Sequence, residues 1–271
     1  MIDEVGSLIR NTAAEVILPL FGHLNRADVT EKAPGELVTV ADRRAERILA
    51  EELPPLLPGS VVVGEEGVAD DPSLLDLLHG TAPVWLVDPL DGTSNFAAGR
   101  EPFAVMVALL DGGVIRASWI LDPISDVLLT TEAGRGTYRD GVAVRPTVDA
   151  SPTAPRGAVM TRFLPPAWRA SVEAGADRLG GVLPGQHCAG REYADILAGH
   201  QQFALFWRTL PWDHAPGVLL LTEAGGVARR LDGTPYHPAD DRDGLLVAID
   251  EHTWHRVRDT LLPGIVGDAS R

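Results

Sequence analysis

The stretch "WLVDPLDGTSNF", residues 85–96, decides how this chain is read. An apolar run ends in Asp88, Pro89 follows, a second acid stands at Asp91, and Gly92 and Thr93 come next. Residues 84–87 have the continuous apolar character of a buried strand, so Asp88 is expected where that strand emerges. Proline cannot donate to a ladder, and the chain is expected to turn at Pro89. The turn brings Asp91 back towards Asp88. Gly92 permits a tight bend, and residues 93–96 are expected to begin a short helix whose N-terminus favours an anion. A Pro-x-Asp-Gly turn is common and by itself needs no function.

Repetition of the pattern gives it weight. "SVVVGEEG" (60–67) ends another strand-like run in Glu65 and Glu66, and "PWDHAPG" (211–217) places Asp213 after a strand and at a helix start. Asp42 falls in the first turn of "ADRRAERIL" (41–49). Each acid could serve only as a helix cap, worth about 0.5–2 kcal/mol. Four acidic sites at element ends are better explained by a shared ligand. Oxygen-only donors, without cysteine or paired histidine, suit Mg²⁺ or Mn²⁺. Two aspartates spaced as in "DPLD" suit two ions roughly 4 Å apart, one acid bridging and the other completing the shell of the second ion. "HTWH" (252–255) lacks a glutamate base and is not expected to hold metal. His214 is expected at the surface or supporting a neighbouring residue.

Composition fits this reading. The 271 residues are 45% hydrophobic and 23% charged, as in an ordinary globular protein. The formal net charge of −15 argues against a nucleic-acid polymer as partner. It would also repel a phosphate, unless bound cations inverted the local field. The single cysteine, Cys188, cannot form an intrachain disulfide and reads as a small half-buried residue. No apolar run is long enough to span a bilayer, and the N-terminus lacks secretory-signal character. A cytoplasmic protein with no membrane contact is expected.

Along the chain, helices are expected over 3–24 and 38–53, the second stopped by Pro54-Pro55. Turn signals divide residues 103–138 into an antiparallel meander, and "GRGTYRDG" (134–141) reads as a hairpin rather than a phosphate loop. "VRPTVDASPTAPRG" (144–157) reads as a linker. Helices and strands then alternate, which points to a sandwich with two sheets rather than one doubly wound sheet. Residues 1–146 are expected to form an N-terminal α+β subdomain with most of the acids. Residues 147–271 form a C-terminal α/β subdomain carrying Asp213, the two acting as one catalytic unit.

"GEEG", "WLVDPLDGTSNF" and "PWDHAPGVLLLTEAGG", in this order and spacing, resemble the inositol monophosphatase family, and "ELVTVAD" (36–42) matches its segment before the second helix. The family belongs to a group of Mg²⁺-dependent, lithium-sensitive phosphatases that includes fructose-1,6-bisphosphatase. The resemblance implies a layered α-β-α-β-α sandwich with two mixed sheets, usually dimeric, acting on a small-molecule phosphate ester with two or three Mg²⁺ ions. It implies that Glu65, Asp88 and the Leu90 carbonyl hold the first metal. Asp88, Asp91 and Asp213 hold the second, and Glu65 also touches a weaker third ion. Thr93, paired with Asp42, would orient and deprotonate the attacking water, and the amides of Gly92 and Thr93 would grip the phosphate.

The half of the site that reads the alcohol departs from the pattern. Inositol-specific members carry an acid about seven residues before the Trp-Asp aspartate; here Phe206 stands there, followed by Trp207 and Arg208. Arg191, in the altered segment "HCAGREY" (187–193), reads either as a surface arginine or as a partner for a second anionic group on the substrate. Phe206, Arg191 and Arg208 are therefore the expected substrate-selecting residues. Pro216 replaces a usual alanine and is expected in the first turn of its helix. The substrate expected is a polyol or sugar phosphate such as inositol monophosphate. Histidinol phosphate, fructose 1,6-bisphosphate and a 3′-phosphonucleotide are alternatives, as is a non-catalytic protein of the same fold.

Overall fold

A computed structural model describes residues 1–146 and 154–263. Helix α1 (Ile2–Thr12) is followed by a wider turn over Ala13–Ile17 and a tight one over Leu18–Leu20. The single helix expected over 3–24 is thus broken, in line with Pro19, which lacks the N–H a further α-turn needs. A hairpin of β1 (Val29–Ala33) and β2 (Glu36–Thr39) leads into α2 (Val40–Leu56). Pro54 and Pro55 lie inside its last turn, so the stop falls just after them.

Next come β3 (Val61–Gly64), α3 (Glu65–Asp70), β4 (Val84–Asp91), α4 (Thr93–Ala97) and the strands β5 (Ala104–Asp111), β6 (Val114–Asp122), β7 (Val127–Glu132), β8 (Thr137–Arg139) and β9 (Val142–Val144). Strands β3 to β9 form a seven-stranded sheet in sequence order, parallel only between β3 and β4. The meander read from the turn signals is its antiparallel part. Of the expected linker, residues 147–153 lie outside the described residues.

The rest of the chain runs β10 (Arg156–Val159), α5 (Pro166–Ala176), β11 (Gly181–Pro184), α6 (Ala189–Leu197), β12 (Phe203–Phe206), α7 (Pro211–Glu223), β13 (Val227–Arg230), β14 (Leu245–Ala248) and α8 (Glu251–Leu261). Its strands form a mixed five-stranded sheet in the order β11-β10-β12-β14-β13.

Alternating side chains dictate the layering. On one face of the large sheet, Trp85, Val87, Val105 and Trp119 pack against Val5 and Ile9 of α1 and Leu49 and Leu53 of α2. On the other face, Met106 and Ile120 meet Tyr193 and Ile196 of α6 and Leu220 and Leu221 of α7. The same helices pack against Ala204, Phe206 and Val247 of the small sheet. The alternate residues of that sheet, Phe203, Leu205 and Leu246, face Val172 of α5 and Trp254 and Leu261 of α8. The order is α-β-α-β-α, the layered sandwich expected. Each large side chain fully buried in these layers stabilises the fold by roughly 1.5–3 kcal/mol relative to exposure.

Candidate active site

Strand β4 does not stop at Asp88. It runs on to Asp91 through a bulge: Asp88 pairs with Met106 and Asp91 with Ala104, so β4 carries one residue more than β5 over this interval. The bulge falls at Pro89, which has no N–H to give the ladder. Leu90 N–H instead donates to Asp88 Oδ1 at 3.0 Å. Gly92 then adopts φ 91°, a left-handed conformation that glycine takes without strain, and starts α4 at Thr93. The expected turn is therefore a bulge followed by a left-handed glycine.

Around this bulge the acids converge from separate elements. Glu65 opens α3, directly after β3, which runs parallel to β4. Asp213 lies in the first turn of α7. Carboxylate oxygens of Glu65, Asp88 and Asp213 lie within 4.8 Å of one another. Asp91 stands at the same pocket, its Oδ2 accepting the Gly190 N–H at 2.7 Å. Burial, and then the neighbouring charges led by Glu65, push Asp88 and Asp213 well above the ordinary carboxylate range. Burial likewise lifts Asp91 to about 6, against the pull of the Gly190 N–H.

Lys32, on β1, reaches into this cluster and was not singled out by the sequence reading. Its Nζ donates to Glu65 Oε1 at 2.8 Å and to Glu66 Oε1 at 2.7 Å. Burial opposes its charge, yet the two glutamates hold its pKa above the ordinary lysine value. One ammonium cannot neutralise Glu65, Glu66, Asp88, Asp91 and Asp213. Buried like charges at this separation are costly unless a cation sits among them. An all-oxygen donor set of this density is what a hard divalent cation takes, so these residues fit one.

Asp42 and Thr93 form the second part of the site. Thr39 and Asp42 make a reciprocal cap at the start of α2. Asp42 Oδ2 accepts the Thr39 N–H at 2.9 Å and its hydroxyl at 2.5 Å. Asp42 Oδ1 accepts from Thr93 Oγ1 at 3.0 Å. The same hydroxyl lies 3.0 Å from the Leu90 carbonyl. Burial raises Asp42 to about 6, partly offset by the Thr39 and Thr93 hydrogen bonds.

A pocket of about 180 Å³ opens over these residues, and Gly92, Thr93 and Ser94 at the start of α4 line it. Its far wall includes Phe206, Arg208, Arg162 and Phe163. Phe206 is also a core residue, stacked on Tyr193 at 5.6 Å and edge-on to His214 at 4.6 Å. Arg208 pairs with Glu36 of β2 and lies 4.4 Å from the centre of the Phe163 ring. Arg162 donates to the Gly35 carbonyl at 2.9 Å. Neither Arg162 nor Phe163 was read from the sequence; they follow β10, and no motif marks them.

Four expectations are revised here. Arg191 does not line this pocket; it faces a separate groove and pairs with Asp195 at 2.9 Å. On α6 it sits at i to the i+4 acid, and that local pair takes its charge. Of the two placements expected for His214, only the surface one is overturned: it is buried, between the Tyr193 hydroxyl and the Arg208 carbonyl, each at 3.2 Å. Burial lowers it to about 3, so it is neutral. Pro216 lies in the second turn of α7, because the helix begins at Pro211. Cys188 is fully buried rather than half-buried, at the edge of the pocket.

Comparison with known proteins agrees with this geometry. Residues 2–261 match the model of the inositol monophosphatase family. An inositol-1-monophosphatase of Rhizobium meliloti is 35% identical over 230 residues, 79% of each chain. A Nus factor SuhB of Pseudomonas aeruginosa is 31% identical over 235 residues, covering 82% of this chain and 83% of that protein. Among solved structures, an IMPase of Thermotoga maritima superimposes with a TM-score of 0.79 at 24% identity, over 96% of this chain and 95% of that one. That last likeness bears on the fold. The match along nearly the whole chain, together with the converging acids, places this protein in the inositol monophosphatase family, a family of metal-dependent phosphoric monoester hydrolases.

Proposed function

We propose that the chain hydrolyses a small polyol or sugar phosphate, such as inositol monophosphate, with Mg²⁺ in the acidic cluster. The observation that carries the reading is the approach of Glu65, Asp88 and Asp213 carboxylate oxygens to within 4.8 Å, beside the Thr93–Asp42 hydrogen bond. Glu65, Asp88, Asp91, Asp213 and the Leu90 carbonyl would hold two or three Mg²⁺ ions, with Mn²⁺ as a substitute. Bound there, such ions supply Lewis acidity, which makes water nucleophilic near neutral pH and offsets charge on the phosphoryl oxygens.

The chain's own residues do the rest. Thr93 Oγ1 takes a proton from the attacking water as it passes its own proton to Asp42 Oδ1. The Asp42 pKa of about 6 makes it a stronger base than an exposed aspartate while leaving it ionised at pH 7. Amides of Gly92 and Thr93 steady the phosphate at the start of α4. Water oxygen bonds to phosphorus as the bond to the alcohol oxygen breaks, and the leaving alkoxide takes a proton from solvent, so phosphate and alcohol are released. Attack is in line, so a chiral phosphate is inverted.

The wall formed by Phe206 and Arg208 bears on the leaving alcohol. An aromatic ring cannot read hydroxyl groups as a carboxylate does, which keeps histidinol phosphate, fructose 1,6-bisphosphate and a 3′-phosphonucleotide as second candidates. The site draws Asp213 from the second half of the chain and its other acids from the first, in keeping with two halves working as one unit. We also infer a homodimer in the cytoplasm; among the described residues no helix is long and apolar enough to cross a membrane. A phosphate-release screen over these esters with Mg²⁺ tests the reading, and light scattering tests the dimer. The SuhB relative favours a second reading, an interaction protein of the same fold. It would be preferred if no ester released phosphate and Asp91→Asn changed nothing.

A further inference from the structure

Helix α2 carries two buried carboxylates one turn apart, Asp42 and Glu46. Asp42 holds Thr93. Glu46 crosses to the start of α3, where its Oε2 accepts the Glu66 N–H at 2.8 Å and its Oε1 accepts the Gly67 N–H at 2.7 Å. These amides belong to the first turn of α3, whose first residue is Glu65. The residue before the helix is Gly64, which has no side chain to cap it. Glu46 therefore does from a neighbouring helix what an N-cap side chain does locally, satisfying two amides that the short helix leaves without carbonyl partners.

The fit is close on both sides. A Cβ on Gly64 would lie 2.4 Å from the Glu46 carboxyl carbon, and one on Gly67 would lie 3.3 Å from Oε1. The backbone at Gly64 has φ −106°, which any residue adopts, so what a side chain there would disturb is the Glu46 carboxylate and not the local conformation.

We propose that Glu46 is a positioning residue for the metal-holding acid Glu65: by holding two successive amides in the first turn of α3, it sets where the Glu65 carboxylate stands relative to Asp88 and Asp213. The proposal rests on the reading that these three acids hold Mg²⁺. A carboxylate accepts from both amides at once. A glutamine can accept from only one, because its NH₂ group would meet the other N–H donor to donor. The turn would then move to relieve that contact and carry Glu65 with it. Partners that orient metal ligands typically change metal affinity by about tenfold to a hundredfold when removed.

The test is calorimetric titration of Mg²⁺ alone into the EDTA-treated full chain, in wild type and the variants Glu46→Gln, Gly64→Ala and Glu52→Gln. Thermal melts check that each is folded. Glu46→Gln is expected to weaken Mg²⁺ binding by about tenfold or more. Gly64→Ala, which keeps the charge but displaces the carboxylate, is expected to do the same. Glu52→Gln removes an equal charge from the exposed side of α2 and is expected to leave the Kd where it was. At saturating Mg²⁺, the KM of the Gly64→Ala enzyme for the ester should equal that of wild type. Wild-type Mg²⁺ affinity in a folded Glu46→Gln or Gly64→Ala protein overturns the proposal. If Glu46→Gln does not fold, Gly64→Ala alone decides. A wild-type chain that binds no Mg²⁺ removes the reading of the acidic cluster instead, and this proposal with it.

Discussion

Thr93 Oγ1 lies 3.0 Å from Asp42 Oδ1, across 51 residues of sequence. Asp42 is fixed by its own helix cap, and Thr93 by the left-handed glycine that ends the β4 bulge. The pair is thus held by two rigid helix starts, which is what a proton relay needs. Removing it should slow the chemical step and spare ground-state binding. Thr93→Ala and Asp42→Asn should each lower kcat by about 10²–10⁴ with little change in Mg²⁺ affinity. Steady-state kinetics with metal titration would check this, and an equal loss in Mg²⁺ affinity would place the pair in metal binding instead.

Burial gives a pH signature to the metal-free chain. Glu46 and Glu66 are each pushed up to about 7, and Asp88 and Asp213 are raised as well, burial being the main cause in all four. A carboxyl whose folded pKa exceeds its unfolded value contributes stability that is complete below the unfolded pKa and is lost as pH rises through the folded pKa. In EDTA, Tm should therefore rise as pH falls from 8 to 6.5. Below that window His214 opposes the trend: it is held neutral, whereas the unfolded chain gains its proton near 6.5. In excess Mg²⁺ the acids stay ionised and the rise should shrink. Melts in the two buffers measure it, and a Tm in EDTA that is highest at pH 8 would contradict the electrostatics described.

Asp88→Asn separates metal holding from folding. It removes one charge from a crowded buried cluster and leaves the packing of β4 unaltered. Activity should fall by more than about a hundredfold. In EDTA the variant should melt no lower than wild type, because a repulsive charge is gone. Turnover near the wild-type rate would remove Asp88 from the site.

Phe206 combines packing with the pocket wall. Phe206→Ala should cost about 3–5 kcal/mol, since the ring contacts both Tyr193 and His214. Denaturant titration measures it. A loss under about 1 kcal/mol would mean that the ring serves the pocket alone.

What the sequence made legible follows from physical range. Apolar periodicity marked the helices and turn signals marked the meander, because both are local. The acids at 42, 65, 88, 91 and 213 could be grouped because each ends an element, and their motifs carried the resemblance. Strand β1 escaped because its residues are mostly polar and none is fully buried, so Lys32 escaped with it. Strands β11 and β13 are four residues each and only partly buried, too short for a period to show. Arg191 turns away from the site because Asp195, four residues on, is a local partner for its charge. No motif marks Glu46; its role appears only when α3 packs against it.

The central claim is that the acidic cluster makes this chain a metal-dependent phosphatase. It is tested most directly by inorganic phosphate release from inositol monophosphate and the other esters, with Mg²⁺, with EDTA, and with Mg²⁺ restored in excess. The account predicts release from at least one ester with Mg²⁺, loss in EDTA, and recovery on restoration. Release that persists in EDTA, or none from any ester with Mg²⁺ present, would contradict it.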